Sequence, residues 1–156
     1  MDKNIIINKR IKKDIKTLEE KNMLFTILDA NSIEVNLTGP DKTPYKYGVW
    51  TIKIMYPIEY PFKSPSVGFL NKIYHPNVDL SSGSICLNVL NTNWSPIYTT
   101  MHILDTFLPQ LLTYPNPDDP LNQDAANMLN TDKDSYNRFV SKFITFNNWK
   151  NYNVKI

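Results

Sequence analysis

The stretch SIEVNL at residues 32–37 alternates strictly between apolar and polar side chains. Alternation of this kind is typical of a β-strand with one face in the core and the other face towards water. The same alternation returns in YGVWTIKIM at residues 47–55, after the chain-breaking sequence TGPD at residues 38–41. We therefore predict that these two stretches are strands of an antiparallel meander.

Further elements are predicted on both sides of these two strands. Short apolar runs at residues 25–28 and 67–70 predict one additional strand each. Residues 56–65 contain three prolines, which exclude a regular helix or a central strand there. Residues 7–20 carry Ile and Leu at helical spacing among charged residues, which predicts an amphipathic helix. The first half of the chain thus predicts an N-terminal helix followed by a four-stranded antiparallel sheet.

Beyond residue 98 the pattern becomes helical. An apolar stripe between Ile103 and Leu112 predicts a largely buried helix, which Pro109 should bend or strain. Three prolines stiffen a loop at residues 114–120. Helices are expected again at 122–129 and, with Asp132 as N-cap, at 132–146. We predict one α+β domain spanning residues 1–156, with no extended C-terminal tail.

The composition fits an ordinary globular domain, with 42% apolar and 21% charged residues. The net charge of only +2 argues against a nucleic-acid partner, which usually requires a strongly basic surface. No apolar run reaches the roughly 18 residues of a membrane span. The apolar patch at residues 5–7 is too short for the core of a signal peptide. We expect a protein of the cytoplasm or nucleus, without a membrane or nucleic-acid partner.

Cys86 is the single cysteine, so an internal disulfide is excluded, and His75 and His102 are too few for an ordinary zinc site. No metal is expected. A lone cysteine is either a small buried hydrophobe or a reactive thiol, and base odds favour burial. The surrounding sequence HPNVDLSSGSICL at residues 75–87 reverses those odds, because it is polar and contains glycine. It also lies in the long irregular segment 71–98, and such segments usually have a functional reason.

Two neighbours of Cys86 in this stretch have competing interpretations. The Asn77 amide either stabilises an oxyanion formed at a carbonyl carried by the sulfur, or holds the loop together through backbone hydrogen bonds. The two roles are compatible. His75 suggests a Cys–His protease pair, but it directly precedes Pro76, which favours a structural turn. His102 lies on the predicted buried helix and is interpreted as structural.

At this point the sequence resembles the ubiquitin-conjugating (UBC) family over almost its whole length. Five motifs occur in the family's order: YPFKSP at 60–65, HPN at 75–77, GSICL at 83–87, WSP at 94–96 and PNPDDPL at 115–121. Together, with the only cysteine at the thioester position, they are far more specific than any one of them. The fit is closest to a branch with one extra residue between HPN and the cysteine, which in other organisms serves GID/CTLH-type ligases.

The resemblance implies the UBC fold: an N-terminal helix, a four-stranded antiparallel meander, a long active-site loop and C-terminal helices. It also implies an E2 enzyme. Cys86 would accept ubiquitin from an E1 activating enzyme as a thioester and, with a RING-type E3 ligase, pass it to a substrate lysine. No cofactor is expected, because the E1 consumes the ATP. A monomer is expected.

The resemblance places an acidic residue, Asp119, across from the cysteine. A carboxylate there would orient the incoming lysine and accept its proton. The alternative is a turn residue, which we prefer for the neighbouring Asp118, while Asn116 is expected to brace the loop. The family often has Asp two residues after the cysteine, and here Asn88 removes that charge. The change would either ease thiolate formation or weaken the enzyme's use of lysine.

The resemblance also implies two partner surfaces. Phe62, Pro96 and Ile97 would form the surface read by RING-type ligases, although Phe62 has packed core as its alternative. Basic residues of the first helix would contact the E1. The expected E1 contacts are Lys9, Arg10 and Lys13. Taken alone, such a charge run more often indicates a solvated helix face than a docking surface.

Three rival functions are open at this stage. The first is the same fold carrying another modifier, such as SUMO or NEDD8. The second is an inactive UBC-like adaptor, which the presence of Cys86 argues against. The third is a cysteine hydrolase, which would need a base that the sequence does not offer.

Overall fold

A computed structural model of the protein describes residues 5–85 and 87–154, without the side chains of residues 87, 88 and 146–154. The chain begins with helix α1 at Lys9–Glu20 and continues into strands β1 to β4. The strands span Phe25–Asp29, Ser32–Thr38, Val49–Met55 and Ser66–Phe69. The second half is helical within the described residues: α2 Leu87–Asn93, α3 Thr100–His102, a π-helical segment Ile103–Phe107, α4 Leu108–Thr113, α5 Gln123–Thr131 and α6 Lys133–Val154.

The four strands form one antiparallel sheet in the order β1-β2-β3-β4, which confirms the predicted meander. In the central pair, Ile33 lies opposite Ile54 and Val35 opposite Ile52. All four of these side chains are buried, whereas the residues between them are more exposed. The strict alternation in the sequence therefore fixes which face of the sheet enters the core, since a shift of one residue would turn every apolar side chain outwards.

Helix α1 begins where Asn8 can cap it. The Asn8 side chain accepts hydrogen bonds from the backbone N–H groups of Arg10 and Ile11, at 2.8 and 3.0 Å. This satisfies two of the N–H groups that a helix start leaves without a partner. The helix buries its apolar stripe together with one charged residue, Asp14.

The predicted disturbance at Pro109 takes the form of a π-helical turn. Residues 100–113 form one continuous helix, which we call the central helix, and the π-helical segment lies in its middle. There the Leu108 N–H donates to the Ile103 carbonyl, five residues back. Pro109, which has no N–H to donate, follows this segment within the same helix.

The prediction that residues 71–98 are irregular was wrong in part, because α2 lies inside this segment. Its sequence LNVLNTN is rich in Asn and Thr, which are weak helix formers, so local propensity gives no signal. Tertiary contacts stabilise it instead: Leu90 is buried, and the side chains of Ser64 and Asn91 lie 2.5 Å apart. The other predicted helices are confirmed with shifted ends. Asn122 caps α5, Asp132 accepts from the Ser135 N–H at 3.1 Å, and α6 continues past residue 146.

Buried His75 fastens the segment after β4 to the central helix. Its Nε2–H donates to the Leu111 carbonyl at 2.8 Å, and its Nδ1 accepts from the Asn77 N–H at 2.9 Å. This pair of contacts requires the neutral tautomer with the proton on Nε2. Burial lowers the pKa of His75 from 6.5 to about 4. The structure therefore supports the structural interpretation of His75, since both ring nitrogens are occupied by the backbone.

Adjacent residues of β3 offer a direct test of the burial pattern. Ile54 is fully buried, whereas Met55 points to the other face and is 47% exposed. We expect Ile54→Ala to lower the free energy of unfolding by about 3 kcal/mol through lost apolar burial and the cavity left behind. The matched variant Met55→Ala should cost less than about 1 kcal/mol. Urea unfolding of both variants measures this, and equal losses would contradict the assigned register.

The neutral His75 ring should also make stability pH-dependent. Because its folded-state pKa lies below that of the unfolded chain, its contribution is complete above pH 6.5 and is lost as the pH falls towards 4. The shift corresponds to about 3 kcal/mol. His75→Gln keeps a donor and does not titrate, so the stability advantage of the wild type should narrow by about this amount between pH 7 and pH 4. Urea titrations across this pH range measure the difference in free energy of unfolding between the wild type and His75→Gln.

If the difference in stability between the wild type and His75→Gln were the same at pH 7 and pH 4, this account of His75 would be wrong. Should the Gln variant not fold, the wild type alone provides the test. The ring resonances of His75, followed by NMR, should keep their neutral-state shifts from pH 8 down to about pH 5.

Candidate active site

The chain leading to Cys86 is fixed to the sheet by its backbone. Isolated bridges pair Gly68 with Ser84 and Val78 with Ile85, and Ile85 is buried. Gly83 has φ +76°, and a Cβ at this position would lie 1.8 Å from the Phe69 carbonyl oxygen, so only glycine fits. Cys86 itself lies outside the described residues, as does the side chain of Asn88. Their expected roles stay predictions.

Asp79 holds together the turn that precedes this segment, a role that the local sequence pattern does not reveal. Its carboxylate accepts hydrogen bonds from the Ser82 N–H and from the hydroxyl groups of Ser81 and Ser82. Hydrogen bonds from Ser82, followed by that from Ser81, hold the pKa of Asp79 below its usual value. This acid is engaged in holding the loop and is a poor candidate for a general base.

The Asn77 side chain is buried and braces the loop that carries Asp119. Its Nδ2 donates to the Asn116 carbonyl at 2.7 Å, and its Oδ1 accepts from the Asn116 N–H at 2.8 Å. A second, long contact of 3.5 Å joins Nδ2 to the Asp119 carbonyl. These contacts support the interpretation of Asn77 as a loop brace. The oxyanion role stays a prediction, because it depends on a carbonyl bound to Cys86.

The loop is attached to the HPN segment at a second point. The N–H groups of Leu121 and Asn122 both donate to the Pro76 carbonyl, at 2.8 and 3.1 Å. Within the loop, the Asn116 side chain accepts from the Asp118 N–H at 3.1 Å. The side chain of Asp119 is left exposed to solvent. The loop therefore has a fixed backbone and presents a free carboxylate.

A groove of about 720 Å³ runs between α2, the central helix and this loop. Leu90 and Trp94 line it from the α2 side, Ile103 and Gln110 from the central helix, and Asp119 from the loop. Its volume is within the usual range for a ligand site. Its lining combines apolar and polar side chains. The stacked pair Tyr98–His102, with ring centroids 4.1 Å apart, also faces it.

Phe62 and Ile97 are exposed apolar side chains in two segments that Trp94 connects. Their side chains are 78% and 80% exposed, which excludes the packed-core alternative for Phe62, and Pro96 beside them is exposed as well. The Trp94 indole N–H donates to the Pro61 carbonyl at 2.8 Å and so ties the two segments together. Phe62, Pro96 and Ile97 thus lie exposed on two segments that this hydrogen bond joins, and their binding of a ligase stays a prediction.

The three basic residues predicted to contact an activating enzyme differ in their surroundings. Lys9 and Lys13 are exposed on α1. Arg10 is half-buried, and its guanidinium donates to the carbonyls of Pro96 and Tyr98. Its contact with an activating enzyme stays a prediction, and the structure adds an intramolecular role that the sequence did not reveal.

Two findings bear on the other classes of site. Among the described residues, no cluster of three or more His, Cys, Asp and Glu side chains could hold a metal ion. In the same part of the chain, every helix is too short or too polar to cross a membrane.

Comparison with known proteins identifies the family. The sequence profile described as Ubiquitin-conjugating enzyme matches residues 8–144. "Ubiquitin-conjugating enzyme E2 6" of Arabidopsis thaliana is 50% identical over 115 residues, covering 74% of this chain and 63% of the plant protein. "Ubiquitin-conjugating enzyme E2-24 kDa" of Saccharomyces cerevisiae is 44% identical over 138 residues, covering 87% and 63%. The chain thus spans less than two thirds of the length of these relatives.

Two solved structures are consistent with this family assignment. The crystal structure of a putative ubiquitin conjugating enzyme from Plasmodium yoelii superposes with a TM-score of 0.78 at 32% identity, covering 89% of this chain and 95% of that one. The E2 domain of a Toxoplasma gondii ubiquitin conjugating enzyme also has a TM-score of 0.78, at 28% identity. Fold, sequence profile and order of elements all agree, and the chain belongs to the ubiquitin-conjugating enzyme family.

Proposed function

We propose that this protein is an E2 that carries ubiquitin as a thioester on Cys86 and transfers it to a lysine amine. The observation that carries the proposal is a pair of hydrogen bonds. Through them the buried Asn77 side chain, in the HPN motif at residues 75–77, binds the backbone of the loop that carries Asp119. This contact supports the proposal because it joins the loop of the exposed Asp119 to the HPN motif, which precedes the only cysteine in the sequence. Family membership supports ubiquitin as the cargo.

The reaction would proceed in two acyl transfers. In the first, the Cys86 thiolate attacks the carbonyl carbon of ubiquitin held as a thioester on the E1. A new carbon–sulfur bond forms, and the E1 thiolate leaves. In the second, a neutral lysine amine attacks the same carbonyl carbon on Cys86. A carbon–nitrogen bond forms, the Cys86 thiolate leaves, and the amine loses a proton.

The second transfer is limited by the protonation state of lysine. With a pKa near 10.4, a free lysine costs roughly 4–5 kcal/mol to deprotonate at pH 7. The exposed Asp119 carboxylate is suited to orient the incoming ammonium and to accept its proton as the carbon–nitrogen bond forms. Because Asn77 and Pro76 hold the loop backbone, the carboxylate would act from a fixed position rather than from a mobile turn.

The groove and the exposed surfaces fit the expected partners. The groove lined by Trp94, Gln110 and Asp119 would receive the extended end of the ubiquitin chain attached to Cys86. The surface of Phe62, Pro96 and Ile97 would bind a RING-type E3 ligase, and the exposed Lys9 and Lys13 would meet the E1. We extend the proposal to a ligase of the GID/CTLH type, on the branch resemblance alone, and to action in the cytoplasm or nucleus.

A charging assay tests the thioester. After incubation with E1, ATP and ubiquitin, a non-reducing gel should show a band shifted by one ubiquitin that disappears on addition of thiol. Cys86→Ala should show no such band, because the chain has no other thiol. A band with SUMO or NEDD8 but none with ubiquitin would redirect the proposal to another modifier. No charging with any modifier would favour the inactive adaptor.

The neighbouring acids Asp118 and Asp119 provide a matched pair for the second step. Both are exposed and carry the same charge, so they differ only in position. We expect Asp119→Ala to charge normally but to discharge to free lysine about 100-fold more slowly, because the oriented acceptor for the amine proton is lost. Asp118→Ala should discharge within about twofold of the wild type. Single-turnover discharge measures both, and equal rates for the two variants would remove Asp119 from the mechanism.

A further inference from the structure

The guanidinium of Arg10 clamps the backbone of the loop that carries Ile97. Its Nη1 donates to the Pro96 carbonyl at 2.9 Å, and its Nη2 donates to the Tyr98 carbonyl at 2.6 Å. The two acceptors lie on either side of Ile97, whose side chain is 80% exposed. Arg10 therefore holds the backbone on both sides of an outward-facing apolar side chain.

Buried Asp14 holds the Arg10 side chain in place. Arg10 Nε lies 3.3 Å from one carboxylate oxygen of Asp14, which is only 1% exposed. The other oxygen accepts from the Thr100 N–H and hydroxyl, each at 3.0 Å, and from the Tyr60 hydroxyl. A buried carboxylate with this many donors has a fixed orientation, and it directs the guanidinium fork towards the loop.

Two further contacts limit the freedom of this loop. The Tyr98 N–H donates to the Ser95 carbonyl at 3.0 Å, which closes a turn around Pro96 and Ile97. The Trp94 indole anchors the start of the segment to Pro61. Only Arg10 joins the carbonyls at the tip of the turn to helix α1, among the hydrogen bonds found in the described part of the chain.

We propose that Arg10 is a positioning residue for ligase binding: it pre-organises the Ile97 loop to receive the apolar face of a RING domain. This inference rests on the proposed E2 function. An exposed apolar loop without the clamp would sample several conformations, and the partner would have to order it on binding. The clamp removes that cost before the encounter. It gives Arg10 a role distinct from the exposed Lys9 and Lys13 on the same helix.

The chemistry of the clamp requires arginine. A planar guanidinium presents several N–H groups in a rigid fork, and here it donates to two carbonyls and a carboxylate at once. A lysine ammonium at this position would keep the charge, but it is a single point donor on a flexible stem. Arg10→Lys therefore separates the loss of geometry from the loss of charge.

The test uses enzyme already charged with ubiquitin and purified from the E1, so that charging does not enter the result. Discharge to free lysine is measured against the concentration of an isolated RING domain, chosen from a panel because it accelerates the wild type. Arg10→Ala should raise the half-saturating RING concentration about tenfold, with little change in the rate at saturation. Arg10→Lys should fall between wild type and Arg10→Ala. The matched control Lys16→Ala removes an exposed charge from the same helix and should shift the value less than about twofold.

A double-mutant cycle with Ile97→Ala distinguishes positioning from a direct charge contact. If Arg10 acts through the loop, Ile97→Ala should weaken RING binding much less in the Arg10→Ala background than in the wild type. Additive effects, or an Arg10→Ala shift no larger than that of Lys16→Ala, would overturn the proposal. So would a charged wild type that no RING domain accelerates, although the thioester function would then stand. Absence of the thioester on the wild type would instead overturn the proposed function itself.

Discussion

The buried amide of Asn77 is the contact on which the candidate active site depends. It joins two segments 39 residues apart in sequence by donating to one backbone group of Asn116 and accepting from another. Neither segment has regular secondary structure, so no helix or sheet ladder would otherwise fix their separation. A buried polar group left without its partners costs about 1–3 kcal/mol, and this cost keeps the two loops together. Together with the hydrogen bonds of Leu121 and Asn122 to the Pro76 carbonyl, this side chain sets the position of the Asp119 loop relative to the segment that leads to the cysteine.

His75 holds the HPN segment against the central helix. Because its ring is neutral and both of its nitrogens bind backbone groups, it acts as a fixed spacer between the HPN turn and the central helix. The prediction from the sequence that His75 is not a catalytic base agrees with this environment. The two polar residues of the HPN motif therefore share one task, which is to hold irregular backbone in a definite place without the help of a sheet.

A second buried polar group, Asp14, holds together the segments around the Ile97 loop. Its carboxylate connects α1 to Tyr60 and to the start of the central helix at Thr100. It also orients Arg10 towards the Ile97 loop. In both places a buried polar residue on another segment helps to hold a loop with an exposed side chain, Asp119 in one and Ile97 in the other. Such networks are costly when incomplete, and this gives each of them a single preferred arrangement.

Much of the fold could be predicted from local patterns. Strands β2 and β3 are predictable because each has one buried and one more exposed face, β1 and β4 because they are short apolar runs, and α1 because its apolar residues recur at helical spacing. Helix α2 was missed because LNVLNTN has neither strong propensity nor a charge pattern, and only contacts such as that of Ser64 with Asn91 stabilise it. The end of α6 was placed too early for the same reason, since its last residues offer no amphipathic pattern.

The sequence by itself determined the order of the elements apart from α2, the core face of the sheet, the single thiol and the five motifs that pointed to the family. These are properties of composition and short-range spacing. The tertiary structure alone decided which side chains act together. Asn77 braces the Asp119 loop, and Arg10 reaches a loop 86 residues away instead of standing free beside Lys9 and Lys13. Partners so distant in the chain leave no trace in local spacing, because their contact exists only once the core has brought α1, the HPN turn and the central helix together.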